Sequence, residues 1–350
     1  LTPTLMPAAL HLGALAGLPD LMAWYPVCWV FGLIPVLDHL VGEDRVNPDE
    51  ATETRAMQDD AYYRILTLLA VPIHIALLAW SAWVFVRWDF GFWGKLGWLV
   101  SMGVVSGINA INIAHELVHR HGRLEPWAGG LLLSLVAYAG FKVEHVRGHH
   151  VNVSTPLDAS SARYGQSLYA FLPHAWKWNF LNAWKLEAER LARRGLPAMH
   201  WRNELVWWYG LTALMAATIT AVLGWAGLLF FAGQCFVAFT ELEVINYVEH
   251  YGLHRRRRPD GRFERTTRQH SWNSSYLLTN LFLFQLQRHS DHHAHPARRY
   301  QVLRHFDEMA RDGWACWAFS NHDVERHATR WGLDGAQLRL YLALLLSLRG

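Results

Sequence analysis

Four short stretches of this 350-residue chain concentrate histidine: HELVHR (115–120), EHVRGHH (144–150), NYVEHYGL (246–253) and LQRHSDHHAHP (286–296). Imidazole is neither a favoured core group nor a strong helix former, so its clustering points to chemistry. His115 and His119 stand four apart, as do His145 and His149, with His150 one further on. On a helix, residues four apart share a face with roughly 5–6 Å between Cβ atoms, so both rings can reach one site. His289, His292 and His293 repeat the pattern at i, i+3 and i+4, and His250 belongs to the third stretch. Any one of these patterns arises by chance in many helices. If they converge, nine imidazoles without a cation would be costly to desolvate or protonate, and a polynuclear metal site is the reading that unites them.

Imidazole suits zinc, copper, iron and nickel, so ligand softness does not choose among them. Ligand number does. A tetrahedral zinc uses about four ligands and would leave most of these histidines idle. Two six-coordinate irons offer about twelve positions, leaving a few for oxygen, water or a bridge. Glu116, Glu144, Glu249 and Asp291 stand beside the histidines and are expected to accept from the outward ring nitrogens, fixing tautomers. For Glu116, ordinary solvation of a helix end is an equal reading. His295, just before Pro296, is expected outside the ligand set, in a supporting or structural place. The three cysteines (Cys28, Cys235 and Cys316) form no C-x-x-C pair, so the chain carries no disulfide framework or cysteine-ligated iron site of its own. Electrons for any redox step must then come from another protein.

The elements that position these residues are apolar. Hydrophobic residues make up 52% of the chain and charged ones 17%, against about 25% charged in ordinary soluble proteins. Mean hydropathy is only +0.04 because very apolar runs alternate with basic ones. Runs near 2–18, 21–41, 65–86, 96–115, 204–223 and 225–247 approach the roughly 20 residues that span a bilayer. ILTLLAVPIHIALLAWSAWVFV carries no charge at all, which a buried soluble helix does not require. No basic segment precedes the first run, so it reads as a span rather than a cleavable signal peptide. Of 32 Lys and Arg, two (Arg87 and Lys95) fall in loops on one side, leaving 30 for the other. The positive-inside rule makes that basic side cytoplasmic, with both termini and all four histidine stretches on it. The fold expected is all-α, a six-span transmembrane bundle with a cytoplasmic, helical, His-rich di-iron cap built from blocks 116–203 and 248–350. The net charge of +3 then reports membrane orientation, not nucleic-acid binding. Arg255–Arg258 reads as a solvated or lipid-facing basic segment, or as a docking face for an acidic partner.

HELVHR, EHVRGHH, NYVEHYGL and LQRHSDHHA together resemble the signature boxes of the integral-membrane alkane 1-monooxygenases, within the wider superfamily of membrane desaturases and hydroxylases. LDHLVGED (37–44), RYGQSLYAF (163–171) and HSWNSSYLLTNLFLF (270–284) extend the resemblance over roughly residues 25–305. It implies a di-iron centre that uses O2 and two electrons to hydroxylate the terminal methyl of an alkane in a bacterial inner membrane. It also implies rubredoxin, an acidic iron–sulfur carrier, as the donor. Arg255–Arg258 with Arg262 and Arg265 offer that carrier a basic face. Two departures stand out. Arg120 replaces the lysine usual at the end of the first box, and FDEMARDGWACWAFSNHDVERHATRW (306–331) replaces a Pro/Gly-rich stretch. The hydroxylase domain is accordingly drawn at 1–305. Residues 306–350, with His322 and His327, form a C-terminal segment without assignment.

Other classes predict other observations. An intramembrane zinc metalloprotease would use H-E-x-x-H with Glu116 as base, and would leave the other stretches unexplained. A membrane desaturase uses the same kind of centre, but NYVEHYGL argues against it. A metal-handling protein needs ligands along a path, not at one membrane face. For a hydrocarbon substrate, the Trp- and Leu-rich second to fourth spans would wall a channel. The small residues of SGINAINIAH (106–115) leave room beside the first box, at Gly107 and Ala110. Close helix packing is the competing role for those small residues.

Overall fold

The computed structural model describes residues 5–306. The chain divides into a unit Leu1–Arg304 and a second unit from His305 onward. His322, His327 and Cys316 lie outside the described residues. Among the described residues regular structure is helical, with two isolated bridges, Glu43 with Tyr276 and Arg257 with Phe263.

Among the described residues, three helices are long and apolar enough to cross a membrane: α3 (Ala61–Arg87), α4 (Phe92–Val118) and α8 (Glu204–His250). The 27 residues of α3 span about 40 Å at 1.5 Å per residue, more than a hydrocarbon core of about 30 Å. Asp60 starts α3 by accepting from the Tyr62 N–H at 2.8 Å, and Asn203 starts α8 by accepting from Leu205 N–H at 2.9 Å. The 47 residues of α8 are two helices run together. Gly224, at φ +70°, breaks them at the residue where the apolar pattern places a division.

The N-terminal region departs from the expected pair of spans. α1 (Met6–Leu15) has 10 residues, about 15 Å, which is half a hydrocarbon core. Gly17 at φ +71° then turns the chain, and Pro19 begins a four-residue helical piece. Gly13 permits the hairpin: a Cβ there would meet Met22 Cγ at 2.3 Å. α2 (Tyr25–Val41) reaches about 26 Å with 17 residues, at the lower limit for a crossing.

The block 116–203 is also less soluble-like than its composition suggests. α5 (Leu124–Leu135) enters the main core, where Leu132 and Leu133 are fully buried. A Cβ on Gly130 would meet the Trp208 ring at 2.5 Å, and Ser134 Oγ donates to the Trp208 carbonyl at 3.2 Å. Small residues thus draw α5 and α8 together. The unit also holds a short helix Glu53–Asp59, the helical segment 141–152 (α6), α7 (Leu168–Ala192), α9 (Leu277–Phe282) and α10 (His289–Ala294).

Candidate metal centre

The last turns of α4 bring His115 inward, and His119 caps the helix. His250 is the final residue of α8, and His289, His292 and His293 lie on α10. In α6, residues 145–149 form a π-helical turn in which His150 N–H donates to the His145 carbonyl. That i→i+5 register places His145 and His150, rather than His145 and His149, in one group. All nine imidazoles come together, in two sets. Five (His115, His119, His145, His150 and His292) and four (His149, His250, His289 and His293) each hold their ligand atoms within 4.8 Å of one another.

The facing atoms are the Nε2 nitrogens. His145 Nε2 is 3.0 Å from that of His119 and 3.0 Å from that of His150, which is 3.0 Å from that of His292. In the second set His289 Nε2 lies 3.0 Å from His293 Nε2 and 3.2 Å from His250 Nε2, and His149 lies 3.2 Å from His293. His115 joins the first set with ring centroids 4.3 Å from His145 and 4.4 Å from His292, and neither of its nitrogens has a protein partner. Each inward nitrogen of a neutral ring carries either a proton or a lone pair, and every ring whose proton sits on the outward nitrogen points a lone pair at its neighbours. Burial first, and the neighbouring imidazoles second, hold His119, His145, His150, His292 and His293 well below the usual imidazole range. His289 is pushed down to about 3, chiefly by burial. These six rings are therefore neutral and present lone pairs. This donor set fits two transition-metal cations, one per group.

The carboxylates are disposed differently from the expectation. Glu116 pairs with Arg120 Nη2 at 3.1 Å, and Arg120 also donates to the carbonyls of Ala297 and Arg298, at 2.9 Å each. Its planar fork clamps the first box to the segment after the fourth, which a lysine ammonium could not match. Glu144 makes no hydrogen bond to an imidazole. Burial first, then the charges of Asp158 and Glu243, push its carboxyl well above the usual range. Asp291 is fully buried but accepts from Arg298 at 3.0 and 2.9 Å and from Arg304 N–H. Glu249 does reach an imidazole, at the inward side: its Oε2 lies 3.2 Å from His289 Nε2. His295 stays half exposed, 3.9 Å from Asp291. The carboxylate behind a ring is Asp158, which accepts from His149 Nδ1 at 2.9 Å and turns Nε2 of His149 inward. Composition gives no signal for Asp158, nine residues further on in a loop.

Arg255 is likewise committed elsewhere, donating to the carbonyls of Val151 and Glu264 at 2.8 and 2.7 Å. Arg256, Arg257 and Arg258 remain exposed. A cavity of about 890 Å³ reaches the centre at His115, His289 and Glu249. Its walls come from α2 (Ile34), α3 (Leu66), α4 (Gly107 and Ile111) and α8 (Leu242 and Ile245). Gly107 lines it, whereas Ala110 is buried in the core instead.

A family model described as fatty acid desaturase matches residues 90–320. Alkane 1-monooxygenase 2 of Pseudomonas aeruginosa is 61% identical over 292 residues, covering 83% of this chain and 77% of that protein. The chain belongs to the alkane 1-monooxygenase family. Alkane 1-monooxygenase 2 of Alcanivorax borkumensis is 55% identical over 304 residues, 87% of this chain and 80% of that protein. The xylene/toluene monooxygenase hydroxylase component XylM of Pseudomonas putida is 27% identical over 208 residues, 59% of this chain and 55% of that protein. As an alkane 1-monooxygenase family member the chain is a membrane oxidoreductase, and the protease reading of H-E-x-x-H is set aside.

Proposed function

We propose that this protein hydroxylates the terminal methyl of medium-chain n-alkanes to 1-alkanols, using O2 and electrons from reduced rubredoxin. The observation that carries the reading is the apolar cavity ending on His115 and His289 of the nine-histidine centre. Its ligands are His115, His119, His145, His150 and His292 for one iron, and His149, His250, His289 and His293 for the other. An unactivated C–H bond offers no acid, electrophile or polar handle to a side chain. Two bound irons would supply the oxygen activation and redox chemistry that such a bond requires. The chain's own residues then position and exclude. Asp158 holds the proton on His149 Nδ1, Glu249 stands as an acceptor at the inward face of His289, and Ile111 and Phe141 help keep water from the reacting end.

An alkane already dissolved in a bilayer gains little on entering this cavity, unlike the approximately 0.8 kcal/mol per CH2 available from water. Selectivity for length then follows from the cavity's shape. Six spans, with α1 as a short first passage and α2, α3, α4 and the two halves of α8 as the others, would leave both termini and the centre at the cytoplasmic face of the inner membrane. Residues 1–305 constitute the hydroxylase domain. An acidic carrier is steered by Arg256, Arg257 and Arg258, which also suit lipid headgroups. The test is turnover in membranes supplied with a medium-chain alkane, O2 and reduced rubredoxin. A 1-alkanol is expected. An alkene would make the protein a desaturase, and product from xylene alone would place its specificity with the aromatic-hydrocarbon hydroxylases.

A further inference from the structure

The cavity is not apolar throughout. Asn280, Gln285, Gln287 and Gln301 line it, and each carries a buried side-chain oxygen for which the protein supplies no donor. Two of these oxygens are fixed in direction. Asn280 Nδ2 donates to the carbonyls of Ser274 and Tyr276, at 3.0 and 2.9 Å, and Gln301 Nε2 donates to the Met57 carbonyl at 2.9 Å. Those bonds assign nitrogen and oxygen, and leave Asn280 Oδ1 and Gln301 Oε1 as free acceptors. Both residues are 3% exposed. The loop that presents Gln285 is strained, since Phe284 and Gln285 both stand at φ +54°, a region non-glycine residues seldom adopt.

Gln285 and Gln301, with Met57, also line a second cavity of about 600 Å³, whose other walls include Asp44, Glu53 and Arg288. These three residues therefore form the partition between an apolar chamber and a charged one. An alkane has no hydrogen to donate, so it leaves every one of these acceptors unpaired. A primary hydroxyl is the simplest group that supplies the donor while its hydrocarbon tail stays in the apolar part.

We infer that Gln301 and Gln285, with Asn280 behind them, form a hydroxyl-binding subsite for medium-chain primary alcohols, and that Met57 gates it toward the charged chamber. The subsite rests on the hydroxylation reading and adds to it a route by which product leaves. It draws the newly made alcohol from the metal end of the cavity toward the charged chamber, where the hydroxyl is solvated.

The test compares 1-decanol with decane as competitive inhibitors of turnover of a shorter alkane. The parent enzyme is compared with Gln301→Leu and Gln285→Leu. The parent should bind 1-decanol more tightly than decane, and each substitution should lower that ratio roughly tenfold, as expected of one buried hydrogen bond. Iron content should stay at the parent level. Gln285 makes no side-chain hydrogen bond within the protein, so Gln285→Leu decides the matter if Gln301→Leu does not fold. A ratio unchanged in the folded variants overturns the subsite while leaving hydroxylation intact. A parent enzyme that makes no alcohol refutes the functional reading instead.

Discussion

Asp158 holds the Nδ1 proton of His149 and so aims one lone pair at the four-histidine group. Partners of this kind usually contribute 10- to 100-fold to metal affinity. Asp158→Ala should therefore release metal from the four-histidine group at chelator concentrations that leave the five-histidine group loaded. Metal content after graded chelation is the measurement, and equal retention by both proteins would contradict the role. All nine histidines are legible in the sequence because three of the four stretches repeat helical spacing. Their division into five and four is not, because the π turn at 145–149 pairs His145 with His150, a register that four-residue periodicity does not encode. Asp158 is invisible for another reason: a loop reversal carries it back to His149. Glu116 and Asp291 mislead, since they pair closely with Arg120 and Arg298 rather than with any of the nine clustered imidazoles.

At the scale of the element, α4 has two small residues that the sequence treats alike and the fold does not. Gly107 lines the cavity, and a Cβ there would meet Glu241 Oε2 at 2.1 Å. Gly107→Leu should shorten the accepted alkane with iron retained, read as product yield across chain lengths. Ala110→Leu should instead lower stability and yield at every length, because Ala110 is fully buried in the core. Loss that is uniform with length in Gly107→Leu would return that residue to a packing role. Glu187 ties α6, α7 and α8 together, accepting from Arg147 at 2.7 Å, from Arg190 at 2.8 Å and from Glu204 N–H at 3.1 Å. Burial alone would raise its carboxyl, but the two arginines outweigh burial and bring it down to about 2 from an ordinary 4.5. A depressed carboxyl stabilises fully above its unfolded value and loses that contribution as pH falls toward the folded one. Glu187→Gln should thus lower the unfolding temperature at neutral pH, with the gap closing between pH 4.5 and about 2. A gap independent of pH would mean that the charge is not what matters.

For the whole molecule, the apolar runs make a membrane protein legible, and the 30-to-2 division of basic residues predicts its orientation. The long helices α3, α4 and α8 appear near the positions that hydropathy gives, and α8 breaks at Gly224 as the pattern anticipates. The hairpin after α1 and the burial of α5 do not follow from hydropathy. They depend on Gly13 and Gly130 meeting particular partners, Met22 and Trp208, that hydropathy does not single out. Cysteine labelling at 87–95 and 255–265 should mark opposite faces of the membrane, and labelling of both from one face would overturn the orientation. The chemistry proposed for this chain requires two irons held by the nine imidazoles. Counting iron and zinc per chain in purified protein that turns over alkane tests it most directly. Two irons per chain, with zinc absent, is the predicted result; one metal per chain, or zinc in active protein, would contradict it.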